Sequence, residues 1–136
     1  MSTLHVRVRV ADEDYALPVG DVLEVAELGE VTPVPRAPTA VLGVRNLRGT
    51  VLPVLDMATV MGLSHSDRPA CIVVAEQGGR SAGLAVDSVV GVEQLPEGFE
   101  EVEHPHLLGA TLTDGALVGI VNIESVLDAV ADATAT

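Results

Sequence analysis

From Leu4 to Val10 the chain reads Leu-His-Val-Arg-Val-Arg-Val, apolar and polar residues in alternation. A period of two predicts a half-buried β-strand. Ala11 to Asp14 is polar and turn-like, and Tyr15 to Val19 resumes the apolar chain, so the two stretches predict a hairpin. Gly20-Asp21 punctuates. Val22 to Leu28 fits a short helix or a strand. Thr32 to Pro38 carries three prolines in seven residues. Such a stretch is extended and poor in N–H donors, which makes it a strap or an edge segment, not a central strand. Val44 to Leu55 predicts two strands around a turn at Arg48-Gly49. Asp56 is placed to N-cap a short helix ending at Gly62. Ser64 to Pro69 is a polar loop, and Ala70 to Ala75 a continuous apolar strand. Gln77 to Arg80 turns into Ser81 to Val86, and Ser88 to Leu95 follows. Pro96 to Pro105 is an acidic loop. Leu107 to Leu112 and Ala116 to Val121 form a hairpin about Thr113-Asp-Gly115. A closing helix begins at or just after Asn122 and runs to about Ala131, with Val126, Leu127 and Val130 at helical spacing. Residues 132–136 are expected to fray.

The pattern repeats. A shift of 67 residues lays Leu17 on Leu84, Val19 on Val86, Val22 on Val89, Val25 on Val92 and Leu28 on Leu95. A shift of 66 lays Gly43 on Gly109, Gly49 on Gly115, Leu55 on Val121, Asp56 on Asn122, Thr59 on Ser125 and Val60 on Val126. Stretches 9–62 and 73–128 therefore each spell hairpin, strand, strap, hairpin, short helix. The expected architecture is one mostly β domain over residues 1–136. It is built as two small five-stranded barrels sharing an aliphatic interface, with terminal segments exchanged or packed between them. Val19 and Val86 are expected in the core.

Composition narrows the function. The chain has 136 residues, enough for one domain with a real core. It holds 24 valines but one Tyr, one Phe and no Trp, so stacking on bases or flat cofactors is disfavoured. All seven basic residues are arginines and the net charge is −13. Such a surface argues against nucleic acid and anionic lipid. No apolar run reaches the roughly 18 residues of a membrane span. The alternating N-terminus is unlike a signal peptide. A lone cysteine, Cys71, excludes an internal disulfide. The expectation is a cytoplasmic protein without cofactor or metal.

The run from Val41 to Asp56 resembles the CheW-like family of chemotaxis coupling proteins. The family's pattern, Gly-Val-x-Asn-Leu-Arg-Gly-x-(aliphatic)-x-Pro-(aliphatic)-(aliphatic)-Asp, is met at every fixed position from Gly43 to Asp56. Val22-Leu-Glu-Val25, Gly83-Leu-Ala-Val-Asp-Ser-Val89 and Leu117 to Leu127 match further segments in the family's order, so the likeness covers about residues 4–130. It implies two intertwined five-stranded SH3-like barrels with short helices, one of them C-terminal. It also implies a non-catalytic adaptor linking the cytoplasmic tip of chemoreceptors to the regulatory domain of a CheA-type histidine kinase. The receptor hairpin would lie in a groove between the barrels and the kinase at the barrel ends. The short termini, short 64–69 loop and high acidity depart from the pattern. They leave open whether the pathway governs motility or another chemosensory response.

Arg48 sits at a hairpin tip, either as a solvated turn residue or as a planar fork of donors for a partner. Glu24 either faces a partner or pairs with Arg48. Asn46 can bond its own turn backbone. By resemblance, Val22, Gly83 and Val89 join these three as partner-contact positions. His104-Pro-His106 among Glu100, Glu101 and Glu103 reads as an acidic loop rather than a metal site, because the spacing does not set both imidazoles on one face. Cys71 reads as a small core residue. The chain contains no nucleophile elbow, phosphate loop or zinc-protease motif. The other open class is a small barrel that binds ligand or protein outside chemotaxis.

Overall fold

The computed structural model describes residues 2–65, 67–96 and 98–134. The chain runs β1 (Ser2–Val10), β2 (Glu13–Pro18), a 3-10 turn (Val19–Asp21), β3 (Val22–Glu27), β4 (Val41–Leu47), β5 (Thr50–Asp56) and α1 (Met57–Val60). Then follow β6 (Cys71–Gln77), β7 (Arg80–Val86), β8 (Ser88–Pro96), β9 (Leu107–Thr113), β10 (Ala116–Val121) and α2 (Ile123–Thr134). The ambiguous segment 22–28 is a strand, and α2 extends three residues past the expected end. The side chain of Val130 and fraying at residues 135 and 136 lie outside the described residues.

The strands form two five-stranded sheets, ordered β8-β1-β2-β10-β9 and β3-β6-β7-β5-β4. These are called sheet A and sheet B. Replacing each strand by its repeat equivalent turns one order into the other. Neither sheet is built from one repeat alone. The hairpin β1–β2 of the first repeat pairs with β8 antiparallel and with β10 in parallel. The hairpin β6–β7 of the second repeat pairs with β3 antiparallel and with β5 in parallel. The two halves have exchanged their opening hairpins.

The symmetry extends to irregularities. Leu23 in β3 and Val90 in β8 are each an extra residue facing a gap in the neighbouring strand, as are Leu42 in β4 and Leu108 in β9. These bulges curl each sheet. Two straps cross the curls at matching places. Thr32 bridges Val44, and Glu100 bridges Ala110. The strap explains the repeated glycine. A Cβ on Gly43 would strike the Thr32 carbonyl, and one on Gly109 would strike Phe99 and the Glu100 carbonyl, so only glycine lets the strap lie this close. The second strap is one residue shorter, which is why the repeat shift drops from 67 to 66.

Between the sheets lies a shared core of Val6, Val8, Val10, Leu17, Leu55, Met57, Val73, Leu84, Val86, Val121, Ile123, Val126 and Leu127. Each such side chain contributes roughly 1.5–3 kcal/mol by leaving water. Inside sheet B sit Leu52, Val54, Ile72, Val74 and Ala85. Inside sheet A sit Ala16, Leu95, Val118 and Ile120, with Phe99 against them.

Two expectations need correction. Val86 is buried, but Val19 stands in the 3-10 turn at 36% exposure. And β1 is not half-buried. His5 and Arg7 are both 7% exposed, because the polar face of this strand turns into the curl of sheet A and not toward water.

Candidate functional site

The β4–β5 hairpin turns on Arg48 and Gly49, at φ 52° and 85°. Two consecutive positive φ values give the turn that matches strand twist. Asn46 Oδ1 accepts the Gly49 N–H at 2.9 Å, the turn-bonding role read from the sequence. Arg48 projects from the tip and reaches Glu24 on β3. Its Nη1 lies 2.9 Å from Oε1 and its Nη2 2.7 Å from Oε2, a two-pronged pair. Strands β3 and β4 are opposite edges of sheet B, so the pair spans the open side of the curl. Arg45 on β4 adds a second tie, donating to the Glu27 carbonyl at 2.7 Å. In the free chain Glu24 and Arg48 thus hold each other.

Val22 and Val89 are half-buried and pack against the shared core. Beyond them Leu23, Val25, Val90 and Val92 are exposed. Val25 stands opposite Val73 and Val92 opposite Val6, both core residues, so these exposed aliphatics continue the core's own face into solvent. Gly83 belongs elsewhere. It is buried in β7, and a Cβ there would lie 3.6–3.7 Å from Ile72 and Val54. It is an interior packing position of sheet B, closed to a partner.

The ends of the two sheets differ in charge. The strap and hairpin of sheet B carry Arg36, Arg45 and Arg48 with a single exposed acid, Glu30. At the matching end of sheet A stand Glu100, Glu101, Glu103 and Asp114, the last in Arg48's repeat position. There the strap and hairpin border a groove of about 520 Å³ whose apolar walls include Phe99, Val102, Leu112 and Leu117.

Sequence reasoning missed an ion network inside sheet A. Arg7 Nη2 lies 2.5 Å and Nε 3.0 Å from Asp14 Oδ2. Arg7 Nη1 lies 3.1 Å from Glu93, and Arg9 Nε lies 3.0 Å from Asp14 Oδ1. Burial pushes the Asp14 carboxyl up, but hydrogen bonds from Arg7 and Arg9 outweigh it and hold the group below its ordinary value. The hydrogen bond to Asp14 likewise raises Arg7. One signal was present: the two-residue turn at Ala11-Asp12 sets Arg9 opposite Asp14, and Arg7 lies one diagonal away.

Asp56 departs from its expected role. No side-chain bond caps α1. Its Oδ2 accepts the Thr59 hydroxyl at 2.7 Å and meets His65 Nδ1 at 2.6 Å. Its repeat equivalent Asn122 does cap, accepting the Ser125 N–H at 3.2 Å. His106 and Ser125 meet at 2.7 Å, but the serine hydroxyl donates to the Pro105 carbonyl at 2.8 Å. The imidazole is therefore the donor and the serine is not activated as a nucleophile. Among the described residues no three His, Cys, Asp or Glu side chains are grouped to hold a metal ion. No described helix is long and apolar enough to cross a membrane.

Two sheets locked by exchanged hairpins, with aliphatic margins and ends that differ in charge, define a binding scaffold. The comparisons agree. Residues 5–131 match the model of the CheW-like domain, and the chain belongs to that family. The chemotaxis protein CheW of Rhizobium meliloti (strain 1021) is 30% identical over 128 residues, covering 87% of this chain and 83% of its own. The CheW of Thermotoga maritima is 29% identical over 126 residues, covering 88% of this chain and 83% of its own. The crystal structure of the scaffolding protein TtCheW from Thermoanaerobacter tengcongensis matches with a TM-score of 0.82 at 29% identity, covering 90% of this chain and 86% of that one. The family is one of non-catalytic chemotaxis scaffolds.

Proposed function

We propose that this chain couples the cytoplasmic tip of a chemoreceptor to the regulatory domain of a CheA-type histidine kinase, working in the cytoplasm and reaching membrane-associated arrays through the receptor. The observation that carries the reading is the pair of exposed aliphatic margins, Leu23 with Val25 and Val90 with Val92, flanking the shared core of a CheW-like domain. Exposed aliphatic side chains that extend a core face in this way fit a protein-binding face. A receptor's helical hairpin fits it by presenting an apolar stripe, as amphipathic helices do in grooves. Val22 and Val89 form the floor of that contact. Arg48 and Glu24 stand at the sheet B end, where the kinase domain docks and competes for the arginine's donors.

Sedimentation of the purified chain with a receptor tip fragment and a kinase regulatory domain tests this. The expected result is a ternary complex that Val25→Asp with Val92→Asp abolishes. Separate sedimentation of all three species would contradict the reading.

A further inference from the structure

Strand β9 is an outer edge of sheet A, and the strap between β8 and β9 covers only part of that edge. Ala110 exchanges both backbone bonds with Glu100, at 2.8 and 3.0 Å. In a strand every second residue turns its N–H and C=O to the same side, so Leu112 presents the next donor and acceptor to the edge. The ladder with the strap has stopped before it. Among the described hydrogen bonds none joins the strap to Leu112. Gly98, two residues before Glu100, stands across the groove of about 520 Å³ that opens here. The groove straddles the strand. Thr111, opposite the interior Val118, lines it from inside the curl, and Leu112, opposite Leu117, lines it from outside.

Sheet B closes the same place. Arg48 and Arg45 cross from β4 to β3 there, to Glu24 and to the Glu27 carbonyl. Their repeat equivalents in sheet A are Asp114 and Thr111, and those of Glu24 and Glu27 are Gly91 and Gln94. No arginine is left to span the mouth. A bare edge beside an apolar groove is where an incoming strand pairs. The side chains of Leu112 and Leu117 are exposed, with Val102 beside them.

Charge selects the kind of strand. All seven arginines lie between Arg7 and Arg80, and residues 81–136 hold ten acids and no base other than His104 and His106. Glu100, Glu101 and Glu103 follow one another along the strap, and Asp114 stands at the hairpin tip just past Leu112. All four are exposed, and none belongs to a described ion pair. An acidic segment is repelled here and a basic one is drawn in.

We propose that the β9 edge is a docking site for an extended, basic segment of a partner protein, whose backbone pairs with Leu112. Aliphatic side chains of that segment rest on Val102, Leu112 and Leu117, and its flanking arginines or lysines meet the strap glutamates and Asp114. The site is separate from the aliphatic margins and from Arg48, and does not depend on the coupling role.

NMR titration of the intact, isotope-labelled protein tests this. The probe is a capped peptide of about nine residues, valines alternating with threonines between paired arginines. The expected result is saturable binding, with amide shifts centred on Leu112, Thr113 and the strap from Glu100 to Glu103. N-methylation of the valines removes the donors that face Leu112 and should weaken binding about tenfold or more. Leu112→Lys should do the same, because a lysine guards a strand edge. Val51→Lys, on sheet B at the repeat position of Leu117 and 63% exposed, changes the net charge equally. It should leave binding within about twofold in physiological salt, where remote exposed charges are screened. Equal losses in the two variants would reduce the attraction to overall charge and overturn the proposal. Undiminished binding of the methylated peptide, or no saturation at millimolar peptide, overturns it as well. So does self-association of the free chain that Leu112→Lys abolishes, which would give the edge to a second copy. If Leu112→Lys fails to fold, the methylated peptide and the wild-type shifts decide it.

Discussion

Sheets A and B share one strand order, one set of bulges and one strap crossing, yet they place their charges oppositely. Sheet B is apolar within, and its arginines stand at the mouth, where Arg45 and Arg48 tie β4 to β3. Sheet A has no arginine at its mouth and buries one inside. Arg7 occupies the register of Val74, Asp14 that of Ser81 and Glu93 that of Ala26. The two sheets show which positions the fold demands. Glycine under each strap, aliphatic residues on the shared face, and Asp or Asn before each helix recur in both. The filling of the curl does not, provided each buried charge has a partner.

The sharpest break compares the repeat equivalents Val86 and Val19. Val86→Asp sets an unpaired carboxylate in the shared core and should unfold the protein, while Val19→Asp in the exposed turn should shift stability by about 0.5 kcal/mol or less. Circular dichroism and urea titration of the pair check this.

Next in size is the network of sheet A. Asp14→Ala leaves the buried Arg7 with Glu93 as its remaining partner and two of its donors unmet, and should cost about 1–3 kcal/mol in urea unfolding. The native carboxyl is depressed, so its stabilisation is complete above the unfolded value near 3.9 and is lost as pH falls through the folded value. Wild-type stability should therefore drop below about pH 4 along a limb that Asp14→Asn lacks. The whole filling can also be exchanged. Arg7→Val with Asp14→Ser and Glu93→Ala gives sheet A the residues of sheet B and should be neutral or stabilising by about 1–4 kcal/mol. A loss as large as that of Asp14→Ala would mean that the network itself specifies sheet A.

Much of this was legible in the chain. The repeat stands out because Gly43 and Gly109 answer to the same steric demand, and the Arg48-Gly49 and Asp114-Gly115 turns to the same backbone twist. What periodicity cannot report is the partner of a strand. Hairpin exchange leaves every local pattern intact, so the repeat alone does not say which strands each sheet takes from the other half. Alternation also cannot tell water from the inside of a curled sheet. Arg7 therefore read as a wet residue, though Asp14 and Glu93 face it within the curl. Gly83 passed for a contact residue because its motif is shared, yet its neighbours are Ile72 and Val54.

The smallest effect on folding carries the largest on function. The Arg48 side chain is 75% exposed, and exposed ion pairs contribute about 0–1 kcal/mol, so Arg48→Ala should leave the urea midpoint nearly unmoved. The direct test of the coupling account is receptor-dependent kinase activity in reconstituted receptor membranes, measured without the chain, with it, and with Arg48→Ala. The account predicts activation by the wild-type chain and a loss of about tenfold or more with the folded variant, as for an arginine at the centre of an interface. Kinase activity that is unchanged on adding the wild-type chain would contradict it.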